Sequence, residues 1–273
     1  MRPMSTPGTE DMPRSRTRAT EPLRSRRVIL RVREPYDWEL VLDWLGTRAI
    51  PGLEAVEDGT YVRNGVTVAR VHGGIEVSGD ADPAIVARVF DLAHDPAALG
   101  DDPLFARAPG IRVPGAWSGW ELAVRAVLGQ QVSVAGARKT AEKLVALHGG
   151  FPSAEAVVEG ELPGMPASRG RARRALAEAV AGGLRLDPPL DLPATRAALL
   201  ALPGFGPWTV EYVAMRALRD PDAWPDSDLW LKRATVGADP DRWRPWRSYA
   251  AMVLWQTGVS QRCANQPPVT RSR

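Results

Sequence analysis

The sequence predicts an α+β protein, with a small antiparallel sheet domain over residues 25–100 followed by an all-helical domain over 101–258. Three observations carry that expectation. Short alternating apolar runs between residues 28 and 77 are joined through Asp58-Gly59 and Gly73-Gly74, two-residue signals of β-hairpins. From Pro103 onward the strand signals stop, and apolar residues recur at helical spacing. Within that helical part, Leu202-Pro203-Gly204-Phe205-Gly206-Pro207 sets a tight glycine turn directly before a helix start.

In order along the chain, residues 1–24 are rich in Pro, Ser, Thr and Arg with almost nothing apolar, a composition that cannot offset the entropy of ordering, and they are expected to be disordered. Val28 to Arg33 alternates as a strand, and Tyr36 to Arg48 carries Leu40, Val41, Trp44 and Leu45 at helical spacing. Leu53–Val56, Tyr61–Arg63, Thr67–Val71 and Ile75–Val77 read as four further strands, and Pro83 to about Ala93 as a helix that closes the unit. Beyond it, helices are expected over Trp120–Leu128, Val134–His148, Ala154–Gly160, Arg169–Ala181 and Ala194–Leu200, the first two separated by Gly129-Gln130-Gln131-Val132. Residues 259–273 read as a second disordered tail.

Composition sets milder limits. A chain of 273 residues with 44% hydrophobic content has a core to bury. The single cysteine, Cys263, excludes an intrachain disulfide framework or a cysteine-ligated cluster, which suits a cytoplasmic setting, and the scattered His72, His94 and His148 read as ordinary histidines rather than a metal site. The net charge of +3 is misleading, because residues 1–27 alone carry seven arginines against three acidic residues. The remainder is close to neutral, so bulk charge says little about nucleic acid. Arg26-Arg27 is followed by too short an apolar stretch for an export signal, and no window approaches a membrane span.

The stretch from Leu202 to Leu231 holds the chemistry. Gly204 and Gly206 allow a sharp turn with exposed N–H groups, and Pro207 starts a helix whose positive end faces that turn, a combination suited to a phosphate. That helix is expected to run to about Leu218 with Val210, Val213, Ala214 and Ala217 on one face. Asp228 then precedes Leu229-Trp230-Leu231, where it reads equally as a helix N-cap or as a carboxylate presented to a site.

The run LPGFGPWT at 202–209 followed by Asp228 resembles the helix-hairpin-helix (HhH-GPD) DNA glycosylase superfamily, closest to the bacterial 3-methyladenine DNA glycosylase II (AlkA type). PYDW at 35–38, RAVLGQQVSVAGA at 125–137 and WRPWRSYAAMVLW at 243–255 extend the resemblance over about residues 28–258. It implies an N-terminal sheet domain like half of the TATA-binding protein and a catalytic helical domain. It further implies a base-excision-repair enzyme that removes 3-methyladenine and 7-methylguanine from double-stranded DNA without a cofactor, acting as a monomer at the cytoplasmic nucleoid. Asp228 takes the catalytic role; Trp44, Trp208, Tyr212 and Trp255 match the base pocket; Leu202, Gly204, Phe205, Gly206 and Thr209 match the phosphate-binding hairpin. Gln130 and Gln131 match the turn that wedges into the helix at the lesion, and the carbonyls of Leu200, Leu202 and Phe205 match a site for a monovalent cation.

This reading is chemically coherent. Methylation at N3 or N7 makes the base cationic and a better leaving group, which suits an electron-rich aromatic box with one carboxylate to stabilise the sugar cation. Trp208 stands where strand-cutting relatives carry a lysine nucleophile, so the enzyme is expected to be monofunctional. The segment between Leu231 and Trp243 is shorter than in the family, which raises a damage-binding protein with impaired catalysis as one alternative; a glycosylase for deaminated or oxidised purines is another.

Overall fold

The computed structural model describes residues 27–159 and 166–264; the predicted N-terminal tail and the last nine residues of the C-terminal one lie outside these. Five strands form one antiparallel sheet in the order β1-β5-β4-β3-β2: β1 Arg27–Arg31, β2 Glu54–Glu57, β3 Thr60–Arg63, β4 Val66–Val71 and β5 Gly74–Ser78. The hairpins are those expected from the turn residues. Asp58 and Gly59 take the left-handed backbone conformation between β2 and β3, which pair Glu57 with Thr60. Tyr61, Val68, Ile75 and Val77 are buried on the inner face, against which α1 (Trp38–Arg48) and α2 (Pro83–Val89) pack.

The helix α1 starts at Asp37, whose side chain accepts from Leu40 N, and buries Val41, Trp44 and Leu45. α2 is shorter than the sequence pattern suggested. It stops at Val89 because Asp91 turns into the left-handed region (φ 52°) and points its carboxylate inward, where Oδ2 accepts from Val113 N and Tyr249 Oη.

The remaining elements are helical: α3 Pro103–Ala106, α4 Gly119–Leu128, α5 Val134–His148, α6 Ala154–Glu159, α7 Ala167–Ala181, α8 Leu192–Leu200, α9 Pro207–Arg216, α10 Leu229–Ala234 and α11 Arg247–Ala264, with 3₁₀ turns at Pro96–Leu99 and Pro240–Trp243. α11 continues past residue 258, where the sequence pattern placed the start of the tail. Among the described residues no helix is long and apolar enough to cross a membrane.

Sheet and helices share one core, and a buried ionic cluster joins them. Arg63 on β3 and Arg125 on α4 both bind Glu54 and Glu121, and Tyr61 Oη donates to Glu54. Burial opposes ionisation of Glu54, but Arg125 and Arg63 outweigh it and hold its carboxyl below the usual range. Arg125 also donates to the carbonyl of Arg48. The end of α1 is thereby tied to α4.

Candidate active site

The hairpin lies between α8 and α9. Only one of its glycines is required by backbone conformation: Gly204 has φ +80°, and a Cβ there would stand 2.8 Å from that of Ala172 on α7. Gly206 is the N-cap of α9 at φ −90°, which any residue adopts, and open space lies where its Cβ would be. Both glycines are exposed, and neither N–H has a backbone acceptor among the described residues.

Two other expected hairpin contacts are corrected. Phe205 is buried and its N–H already donates to Leu202 O, so it supports the turn from within. Thr209 is also buried, and its hydroxyl accepts from Gln130 Nε2 at 3.1 Å, so this side chain is unavailable to a phosphate. That contact reassigns Gln130 as well. Its amide also donates to Gly204 O at 2.9 Å, making it a strut between the α4–α5 turn and the hairpin rather than a wedge. Gln131 alone is exposed at the tip of that turn, with φ +58°. Leu202 O accepts from Phe205 N, and a carbonyl has two lone pairs, so the hairpin carbonyls of Leu200, Leu202 and Phe205 retain acceptor capacity suited to a hard cation. No cluster of metal-ligating side chains occurs among the described residues.

Asp228 satisfies both readings of its position. As the N-cap of α10, its Oδ1 accepts from Trp230 N and Leu231 N at 2.9 and 3.0 Å. It also lines a cavity of about 470 Å³ between the sheet domain and the helices, where Oδ1 accepts from Trp255 Nε1 at 3.3 Å and Oδ2 from Trp208 Nε1 at 3.0 Å. Four N–H donors thus fix the carboxylate, three on Oδ1 and one on Oδ2. Oδ2 keeps acceptor capacity for a reacting group.

The four expected aromatic residues do converge on this cavity. Trp208 and Tyr212, one turn apart on α9, stack at 5.1 Å with an interplanar angle of 7°. Trp255 on α11 packs against Tyr212 at 6.3 Å and stacks on Trp44 at 5.7 Å. The short 231–243 segment therefore does not displace Trp255, whose indole reaches Asp228.

The box is less simply electron-rich than the aromatic pattern suggested. The Arg48 guanidinium lies 3.4 Å over the Trp44 ring, so that face is already covered by a cation. Arg216 approaches Trp44 and Tyr212, each at 5.6 Å, and donates to Tyr212 Oη at 2.8 Å. Burial opposes ionisation of Tyr212, yet Arg216 and Arg48 bring its phenol down to about 8. Burial lowers Arg48 to about 10 against the opposing pull of Tyr212. The sequence offered no signal for these arginines: Arg48 sits at a helix end and Arg216 in a helical run, positions where a solvated face is the ordinary expectation.

Comparison with known proteins agrees with this geometry. Residues 27–94 match the family model of the AlkA N-terminal domain. The chain is 40% identical to a probable bifunctional transcriptional activator/DNA repair enzyme AlkA of Mycobacterium tuberculosis, over 84% of this chain and 56% of that protein. It thus spans about half the length of the mycobacterial relative. It is 33% identical to DNA-3-methyladenine glycosylase 2 of Escherichia coli, over 82% of this chain and 94% of the relative. The fold is that of a 3-methyladenine DNA glycosylase from Archaeoglobus fulgidus, with a TM-score of 0.70 at 20% identity, covering 86% of this chain and 98% of the other. With the sheet domain, the glycine hairpin and the carboxylate all in the corresponding arrangement, the chain belongs to the AlkA family of helix-hairpin-helix DNA glycosylases.

Proposed function

We propose that this chain excises alkylated purines such as 3-methyladenine and 7-methylguanine from double-stranded DNA, acting as a monomer in the cytoplasm and leaving an abasic site. The observation that carries this reading is Asp228 itself, fixed by four N–H donors at the edge of an aromatic cavity large enough for a flipped base. Helix capping alone would use two of those donors.

In this reading the N–H groups of Gly204 and Gly206 and the start of α9 hold a phosphate near the lesion, and the carbonyls of Leu200, Leu202 and Phe205 hold a monovalent cation that adds positive charge there. Gln131 at the exposed tip fills the gap left by the flipped nucleotide. The bond from C1′ to the base nitrogen breaks with its electron pair leaving on the base, which neutralises an alkylated cation. Oδ2 of Asp228 stabilises the positive charge on the sugar. A water oxygen then bonds to C1′ and gives up a proton, which Asp228 is placed to accept. No side-chain amine stands in the position for Schiff-base chemistry, since Trp208 occupies it.

The deciding experiment is incubation of the purified protein with methylated duplex DNA and chromatography of released bases. Release of 3-methyladenine and 7-methylguanine with an intact sugar–phosphate strand is expected. Tight binding of lesion DNA with no released base would instead identify the damage-binding alternative.

A further inference from the structure

Two hydrogen-bond donors in residues lining the cavity have nothing to donate to. Trp44 is only 6% exposed, and its Nε1–H, like the Nε2–H₂ of Gln256, is shut off from solvent with no acceptor among the described residues. Both residues line the cavity that contains Asp228. A buried donor left without an acceptor is costly, on the order of 1–3 kcal/mol, and a phenylalanine and a leucine would avoid that cost. The two residues come from one packed corner: the Trp44 indole stacks on Trp255, and Gln256 is the next residue along α11. The nearest charged groups to the Trp44 ring, the Arg48 and Arg216 guanidiniums, are also pure donors. Donors from α1, α9 and α11 therefore line one cavity, and the missing component is an acceptor.

We propose that Trp44 and Gln256 are specificity residues that read the carbonyl oxygen at position 6 of the flipped purine, so that the site favours 6-keto lesions over 6-amino lesions of equal charge. This rests on the glycosylase reading of the site and names the substrate class within it. One carbonyl oxygen has two lone pairs and accepts from both donors. A 6-amino group presents N–H to N–H and leaves both buried donors unpaired. Sites built to hydrogen-bond a substrate reject the analogue lacking that group far more strongly than an apolar pocket rejects a change of size.

The test compares single-turnover excision of 7-methylguanine, a cationic 6-keto base, with that of 3-methyladenine, a cationic 6-amino base, so that the charge of the leaving group is held constant. Trp44→Phe keeps the ring and removes only the N–H; Gln256→Leu removes the second donor independently. In each variant the ratio of 7-methylguanine to 3-methyladenine rates should fall about tenfold, whatever loss the two rates share. A ratio within about twofold of wild type in both variants would overturn the proposal. Binding of free hypoxanthine and free adenine, followed by quenching of tryptophan fluorescence, gives a readout independent of catalysis. Preference for hypoxanthine that disappears in Trp44→Phe supports the donor assignment even if the wild type releases no base, an outcome that would remove the glycosylase reading alone. Equal binding of the two free bases by the wild type would overturn the assignment itself.

Discussion

The indole N–H of Trp208 donates to Oδ2 of Asp228 over 3.0 Å, linking the hairpin helix to a carboxylate that caps a different helix twenty positions later in the chain. Phosphate grip, pocket wall and the charge facing the sugar are thereby set by one continuous path from Gly206 through Trp208 to Asp228. Replacing Asp228 by Asn preserves the capping oxygen but turns an amide N–H₂ toward the Trp208 donor, so both the charge and this link are lost. Excision should fall by about 10²–10³-fold or more, while affinity for abasic-analogue duplex remains within a few-fold. Single-turnover rates with gel-shift titrations check both halves; comparable excision by wild type and Asp228→Asn would sink the assignment.

Because Trp208 stands where an amine nucleophile would be, reaction with a lesion-bearing duplex should yield an intact strand with an abasic site, cut only after alkali or an abasic endonuclease. Borohydride added during turnover should trap nothing. A covalent protein–DNA adduct would contradict the monofunctional assignment.

The two hairpin glycines should respond differently to substitution. Gly204→Ala meets a left-handed backbone and the Ala172 side chain 2.8 Å away, and should cost roughly 1–3 kcal/mol of stability. Gly206→Val meets neither obstacle and should melt near wild type, but its side chain projects where a phosphate would approach. Binding to damaged and undamaged duplex should weaken alike, since phosphate contacts carry no sequence information. A loss confined to damaged DNA would argue against a phosphate role.

Tyr212 should titrate within reach of neutral pH. Arg216 and Arg48 bring its phenol to about 8 from an ordinary value of 10.0. For an acid whose pKa is lower folded than unfolded, the added stability is complete above the unfolded value and is lost as pH falls through the folded one. The stability advantage of wild type over Tyr212→Phe should therefore grow as pH is raised from about 8 toward 10. The ultraviolet difference spectrum between the two proteins should show tyrosinate forming near pH 8; formation only at pH 10 or above would mean that the guanidiniums do not act on it.

Glu54 offers the opposite limb of the pH profile. Its carboxyl is held below 4.5 by Arg125 and Arg63, so its contribution is complete above that value and disappears as pH falls further. Glu54→Gln should lower stability at neutral pH by about 3–5 kcal/mol, because two buried guanidiniums lose half of their partners. The variant's acid limb should also be flatter. Unchanged acid unfolding would place the responsible carboxylates elsewhere.

Local chemistry in the chain determined more of this protein than its modest overall charge suggests. The hairpins of the sheet were legible because Asp58-Gly59 and Gly73-Gly74 demand tight turns, and α5 begins and ends at Val134 and His148 as its periodicity required, with Ser133 capping one end and Gly149 the other. The hairpin, the start of α9 at Pro207 and the cap at Asp228 were legible for the same reason, since each depends on conformations fixed within a few residues. What only the tertiary structure decided were contacts between distant segments. Gln130 became a strut because Gly204 lies opposite it, seventy-four positions away; Thr209 was withdrawn from the surface by the same contact. Arg48 and Arg216 entered the pocket because a buried ionic cluster ties α1 to α4 and because the Pro114 and Gly115 carbonyls hold Arg216 in place. Periodicity reports which face of a helix is buried, but not what a charged side chain finds on that face, and it is that meeting of helices that determines what the pocket presents to a base.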